Sequence, residues 1–401
     1  MDTQKGHPSV KKTYEFRGRV ATLEKSDSRL KLQLFADFQQ SDWMSFKKED
    51  FAEESVFSQL KIGDLIGKRQ GEKVLMLLAS KSLPPNFNTK FQKQDALAWQ
   101  NFQLKVRQFF IEKNFVELAT PNLVPSPGLE TFLEAFDTKI EIGNFSKKAY
   151  LPTSPEFHLK KALCIGFEKV FEIAKVFRNA EQGEHHQLEF WMLEWYRAFD
   201  NLNSIKEDTK CFIQSFFQET IHFESLSFKD LFKSHFSFEL YPDTSKEELQ
   251  SLCLRHEISY EASDSFDDLF FRLFLERIEP SLKEKDWYFL EGFPPSQAAL
   301  AKLTEEGWAD RFELYFKDVE LTNAFHELND SSEQRKRFQE ALQEKERNHR
   351  KPVEIDEEFL QFLDYGMPPS GGIALGLDRL FMVLQKKTSL EETRLFPFQL
   401  K

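Results

Sequence analysis

Residues 177–199, FRNAEQGEHHQLEFWMLEWYRAF, constrain this chain more than any other stretch. An eight-residue loop, EQGEHHQL, rich in charge and histidine, separates two alternating, aromatic-rich runs. The incoming run KVFEIAKVFR (169–178) and the outgoing run EFWMLEWYRAF (189–199) therefore read as two strands. Successive strand side chains point to opposite faces, so Phe190, Met192, Glu194 and Tyr196 share one face of the outgoing strand. Trp191, Leu193, Trp195 and Phe199 share the other, together with Arg197. That second face is greasy enough to lie on a core. The first sets a ring, a carboxylate and a phenol side by side, with Arg178 arriving from the partner strand. This is a poor core and a plausible binding floor.

The rest of the chain narrows what such a floor can bind. A net charge of -12 argues against non-specific coating of nucleic acid, which needs a local excess of Lys and Arg to neutralise phosphates. It leaves room for an anionic ligand held by a few arginines. Cys164, Cys211 and Cys253 are far apart and form no CxxC, so neither a zinc ribbon nor a disulfide framework is expected. The N-terminus lacks an apolar signal core and no run approaches a membrane span, so the expectation is a cytoplasmic protein with no membrane contact. Forty-four phenylalanines point to aromatic packing and name no function.

Along the chain, residues 1–83 read as a reduced, β-rich domain. Phe16, Gly18 and Val20 alternate with polar neighbours, and Leu30, Leu32 and Leu34 do so beyond the KSDSR turn. A helical segment near 48–60 and a further apolar strand within 72–83 fit a five-stranded OB-like barrel. A proline pair marks a linker at 84–92. Residues 93–401 would form a second domain, with a charge-rich helical insertion at about 202–287. Its first helix spans about 94–113, with Phe102, Val106, Phe109 and Phe110 at helical spacing. Prolines 121, 125 and 127 then force an extended or turning path. Pro155 starts another helix, where Glu156 is favoured by the helix dipole; capping is the plain reading of that glutamate.

Further on, FELYF and VELTNAF form a tight hairpin around Lys317-Asp318. Pairing across it sets Glu313 opposite Thr322 and Tyr315 opposite Glu320. Glu313 and Glu320 then lie diagonally on one face, within reach of one divalent cation. Strict alternation leaves Asn323 on the other face; a bulge is needed to bring Asn323 and Glu327 into the same site. Ser331 and Gln334 read as a capping box opening a charged helix. In SGGIALGLDRLF, Gly371-Gly372 loosens the backbone, and a strand leads into a helix start carrying Arg379, which suits phosphate binding.

Three stretches together carry a resemblance. TPNLVPSPG with its preceding helix, VFRN…LEFWMLEWYR and GGIALGLDRLFMVL are similar to the three motifs of the class II aminoacyl-tRNA synthetases, in that order, over about 96–398. The lysine-activating group is the nearest. The resemblance implies an α+β fold: a seven-stranded, mostly antiparallel sheet with flanking helices, here preceded by the small OB-like barrel. It also implies a homodimer formed through the first motif, near Pro121.

By position, the resemblance gives Arg178 to the ATP α-phosphate and the substrate carboxylate, Phe190 to adenine, and Arg379 to the γ-phosphate. His186 would lie in the loop over the phosphates, and Glu313 and Glu320 would bind Mg²⁺. Glu156 would hold the amino acid's α-amino group and Asn323 its carboxylate, while Glu194, Tyr196 and Glu327 would surround the ε-ammonium. These residue types suit activation, which needs charge neutralisation and alignment, and suit an ammonium, which has three donors and no acceptor. FHELND (325–330), MLEWYR, FPPSQAALA (293–301) and Ala374 resemble the elongation factor P–lysine ligases, synthetase paralogues that transfer lysine or β-lysine to a lysine side chain of that factor. Ala374 stands where the tRNA enzymes carry glycine, so it would border the substrate. The barrel, which those ligases normally lack, points instead to a lysyl-tRNA synthetase acting on tRNA(Lys). Ala180 replaces the glutamate of the usual FRNE; Glu181, next in line, would take over its ATP contact, and a non-catalytic paralogue is the third reading.

Overall fold

The structure is a computed structural model that describes residues 14–36, 39–81, 93–129, 133–180 and 183–396. The chain divides into two compact units, Met1–Asn101 with the last few residues, and Phe102–Thr393.

In the first unit, apolar residues at every second position produce strands that bury one face. These are β1 (Tyr14–Lys25), β2 (Arg29–Ala36), β3 (Gln39–Gln40), β4 (Met44–Lys47), β5 (Leu65–Arg69) and β6 (Leu75–Leu78), with the short helix α1 (Glu54–Gln59) before β5. The sheet order is β3-β2-β1-β5-β6, with β4 also on β2 and every pairing antiparallel. Val20, Leu30, Leu32, Leu34, Phe51, Phe57 and Ile66 form its core, as the alternation requires. Asp64 is buried but satisfied by the backbone N–H groups of Lys61 and Ser80. The unit is OB-like, with the two-residue β3 as a strand beyond the expected five. The expected linker, 84–92, lies outside the described residues.

The second unit is built on one eight-stranded sheet, a strand wider than the resemblance implies. In chain order its elements are α2 (Lys93–Glu112, which belongs to this unit from Phe102 on), β7 (Val116–Glu117), the hairpin β8 (Asp137–Ile142) and β9 (Phe145–Tyr150), α3 (Glu156–Cys164), β10 (Lys169–Phe177), β11 (Glu189–Ala198) and α4 (Leu202–Gln214). There follow β12 (Glu224–Ser227), α5 (Phe228–Phe236), α6 (Lys246–Arg255), α7 (Phe266–Leu273), α8 (Glu279–Leu282), β13 (Trp287–Phe293), β14 (Ala309–Phe316), β15 (Val319–His326), α9 (Ser331–Arg347), α10 (Glu357–Gly366), β16 (Ser370–Gly376) and α11 (Leu377–Leu384). Strand order is β12-β13-β14-β15-β16-β11-β10-β7, antiparallel except at the two outermost pairs. Phe110 of α2 stacks on Phe171 at 5.0 Å and touches Trp195 and Phe212, so one sheet face is sealed by aromatics. Phe228, Phe232, Phe236, Phe270 and Phe274 fill a second core under the helical insertion. That is where much of the phenylalanine goes. No helix among the described residues is long and apolar enough to cross a membrane.

Several local expectations change. Phe199 does not join the apolar face; β11 ends at Ala198, and Phe199 turns left-handed (φ 58°) with its ring 75% exposed. The α9 cap is Asp330, which accepts from Glu333 N at 2.9 Å; Ser331 Oγ instead bonds Asp364. A carboxylate at the positive helix end is the stronger acceptor. In the β14–β15 hairpin Tyr315 does pair with Glu320, but the register shifts one residue further on, so Glu313 pairs with Asn323 and Leu314 with Thr322. The extra residue, Leu321, is a bulge. It turns Asn323 onto the face of Glu313.

The bulge completes a row across the sheet. Glu313 pairs with Asn323, Asn323 with Ala374, Ala374 with Glu194, and Glu194 with Glu172, all on one face. The neighbouring row runs Arg311, Phe325, Gly372, Tyr196, Val170.

Candidate active site

These two rows floor a cavity. Glu156, Arg178, His186, Phe190, Glu194, Tyr196, Glu320, Asn323, Glu327, Ala374 and Arg379 all line it. Glu313 sits beside it in the row, and Glu181 lies outside the described residues. The sequence therefore names close to half of the wall, although those eleven residues come from seven separate elements and loops.

One end is a buried charge cluster. Glu156 opens α3, but its side chain does no capping; the N-cap position belongs to Pro155. Its Oε1 meets Lys160 Nζ, one helical turn on, at 2.6 Å. The same Nζ lies 2.6 Å from Glu327 Oε2. Lys160 is fully buried, and so is Glu327. Burial alone would lower the pKa of Lys160, yet the Glu156 and Glu327 charges outweigh it and hold that pKa above the ordinary lysine range. Glu327 is pushed up to about 8, with burial the larger cause and Lys160 opposing it. Glu194 is likewise raised well above the usual carboxylate range by burial and by the charge of Glu156, although the Tyr196 hydroxyl donates to it at 2.9 Å. Three carboxylates thus face one resident cation. The imbalance favours a ligand bearing further positive charge.

Gly372 gives this end its room. A Cβ there would fall 2.1 Å from Glu327 Oε1 and 2.3 Å from Tyr196 Cε1. On the other face, a Cβ on Gly371 would meet Ile205 Cγ1 at 2.6 Å and the Asn201 carbonyl oxygen at 2.9 Å. The glycine pair is not a loosened phosphate loop, as the sequence suggests. It is the opening of a central strand, stripped of side chains so that neighbours fit on both faces.

The other end gathers donors. Arg379, in the first turn of α11, donates from Nε to the His185 carbonyl (3.0 Å) and from Nη1 to the Glu320 carbonyl (2.8 Å). Its Nη2 lies 2.8 Å from His186 Nε2. A guanidinium only donates, so His186 must accept on Nε2 and carry its proton on Nδ1. Arg178 lies with its guanidinium carbon 5.3 Å from the Phe190 ring centre. The loop between β10 and β11 contains a tight turn in which the Gly183 and His186 backbones bond each other.

Two carboxylates suit a divalent cation unequally. Glu320 lines the cavity. Glu313 has one oxygen on Arg311 and the other on the Tyr315 hydroxyl at 2.8 Å. Burial lifts Glu313 to about 7; Arg311 pulls it down and the Glu320 charge pushes it up. A cation between the two would relieve that repulsion, so the donor set fits in charge and hardness.

Sequence reasoning missed Lys160, Arg311 and Asp378. The Glu156–Lys160 spacing was available in EFHLK, but such pairs usually lie on solvated faces. Arg311 was visible two residues before Glu313 on the same strand face. Asp378, which accepts from the Trp191 backbone N–H at 2.5 Å and ties α11 to β11, carried no local signal.

Residues 89–400 match the model of the tRNA synthetases class II (D, K and N). The chain is 38% identical over 283 residues to the elongation factor P–(R)-β-lysine ligase of Haemophilus influenzae, covering 70% of this chain and 87% of the relative. It is 35% identical over 309 residues to that of Haemophilus ducreyi (76% and 93%) and 34% identical over 310 residues to that of Buchnera aphidicola (76% and 95%). With three motifs in order, the two-row floor and a family match over most of its length, the chain belongs to the class II tRNA synthetases.

Proposed function

We propose that the protein activates lysine or β-lysine with ATP and transfers the aminoacyl group to a lysine side chain of elongation factor P. The observation that carries this reading is the buried or nearly buried set Glu156, Glu194, Tyr196 and Glu327 at one end of a cavity with arginines at the other. Such a set recognises ammonium groups, and the likeness to ligases of that name supports the acceptor. The substrate carboxylate, oriented by Asn323 and Arg178, attacks the α-phosphorus and releases pyrophosphate; the acceptor amine then attacks the acyl carbon and releases AMP. Phe190 supports the adenine, with Glu181 the further ATP contact, and His186 and Arg379 hold the outer phosphates. Mg²⁺, held by Glu313 and Glu320, supplies charge neutralisation when bound. The enzyme works in the cytoplasm as a homodimer.

Lysine-dependent ATP–pyrophosphate exchange tests the activation step. Exchange is expected; none from folded protein would reduce the chain to a non-catalytic paralogue. Offering the charged enzyme elongation factor P and tRNA(Lys) side by side tests the acceptor. The OB-like unit, which precedes the family match, favours a lysyl-tRNA synthetase as the second reading. Acylation of tRNA alone would establish it. Ala374 pairs with both Asn323 and Glu194, so its methyl stands between the carboxylate and ammonium subsites. Ala374→Gly is expected to shift preference from β-lysine towards α-lysine; an unchanged ratio of the two kcat/KM values would remove Ala374 from substrate choice.

A further inference from the structure

We propose that Arg311 is a positioning residue that fixes which way Asn323 presents its amide to the substrate. This rests on the functional reading above and adds a residue to it. Arg311 lies on β14 two residues before Glu313, hence on the same face. It pairs with Phe325, so its side chain lies diagonally across from Asn323 once the Leu321 bulge has turned Asn323 to that face.

The guanidinium is held from several sides. Nη1 donates to the Gln297 carbonyl at 2.9 Å, and Nη2 donates to Asn323 Oδ1 at 2.9 Å and to Glu313 Oε1. Its central carbon lies 4.1 Å from the centre of the Phe293 ring. Arginine has donors and no acceptor, so only Oδ1 of Asn323 can face it. A planar amide with its oxygen pinned turns its two Nδ2 hydrogens the other way, and Asn323 lines the cavity. The cavity is therefore offered donors. Donors select a carboxylate and reject an ammonium, which would sort the two ends of an amino acid that carries both. The same fork holds Glu313, so one side chain sets the geometry on the amino-acid side and the cation side. A lysine has neither the fork nor the planarity to do both.

The test combines Arg311→Lys, Asn323→Ala, their double variant and Asn323→Asp, with KM for lysine and for ATP measured by pyrophosphate exchange. Circular dichroism checks folding. Arg311→Lys is expected to raise the lysine KM roughly tenfold or more, the effect of misplacing a hydrogen bond to a charged group. In the Asn323→Ala background the same change is expected to add little, because no amide remains to orient. Asn323→Asp keeps the tie to Arg311 but turns an oxygen to the cavity, and is expected to raise the lysine KM further than Asn323→Ala. An unchanged lysine KM in folded Arg311→Lys, or full additivity with Asn323→Ala, overturns the proposal while leaving the activity intact. If Arg311→Lys does not fold, Asn323→Asp decides, and a lysine KM no worse than that of Asn323→Ala overturns it. Absence of exchange from the unaltered protein overturns the functional reading itself, and this inference with it.

Discussion

At the amine end of the cavity, Glu156, Lys160, Glu194, Tyr196 and Glu327 are buried or nearly so, and each is tied to another. At the nucleotide end, Arg379 and Glu320 are partly exposed, and His185 and His186 come from a loop whose register depends on a four-residue turn. In the low-dielectric interior a misplaced charge is costly, so the first end tolerates few arrangements. The second end works beside water, where screening softens each contact. Substitutions should therefore be severe and selective at the amine end, and graded at the other.

The largest expected effect is at Gly372. Its missing side chain is the space that Tyr196 and Glu327 occupy, and a methyl 2.1 Å from a carboxylate oxygen cannot be accommodated without moving β16 or Glu327. Gly372→Ala should abolish lysine-dependent exchange or prevent folding, whereas a comparable methyl at Gly376, whose nearest neighbour would be 3.5 Å away, should be mild. Exchange rates and thermal unfolding of both variants check this. Equal, mild effects would mean that the rows relax more easily than their packing implies.

Next comes Glu327→Gln. It removes one of the two carboxylates on Lys160 and one charge facing the substrate amine. The lysine KM should rise roughly tenfold to a hundredfold while the ATP KM stays within about twofold. Parallel rises in both would end the division of the cavity into two chemistries. The acid–base behaviour sharpens the same point. Because the pKa of Glu327 is raised to about 8, its contribution to stability is present at low pH and lost as pH rises through about 8. A bound ammonium demands the ionised form. Binding of lysine between about pH 6 and 8 should therefore release protons and weaken as pH falls. Calorimetry in two buffers of different ionisation enthalpy measures the release, and its absence would break the assignment of Glu327 to the amine.

How far the sequence could be read follows from the same division. Alternation in 189–198 was enough to put Phe190, Met192, Glu194 and Tyr196 on one face, because a strand's period is a local property. Asn323 was not legible in that way. Its face depends on a bulge at Leu321, set by simultaneous pairing with β14 on one side and β16 on the other. Lys160 failed for a similar reason. Its spacing to Glu156 is local, but its second partner, Glu327, arrives from a distant part of the chain just after β15. The amine end is thus the part whose members could be named from the sequence and whose charge balance could not.

The smallest expected effect lies at Ala180, and it separates backbone from side chain. Ala180 adopts a left-handed conformation (φ 62°), is exposed, and donates its N–H to the Asn179 side-chain oxygen at 2.9 Å. That geometry costs an alanine roughly 1 kcal/mol and a glycine almost nothing, part of the gain being offset by glycine's freedom in the unfolded chain. Ala180→Gly should therefore stabilise the protein by about 0.5 kcal/mol in denaturant unfolding and leave the KM for ATP within about twofold. Its methyl points to solvent and supplies nothing that a glutamate in the family motif would have supplied. A several-fold change in the ATP KM would instead mean that the strained turn itself sets the height of the histidine loop. The nucleotide end would then be as finely fixed as the amine end, by backbone rather than by buried charge.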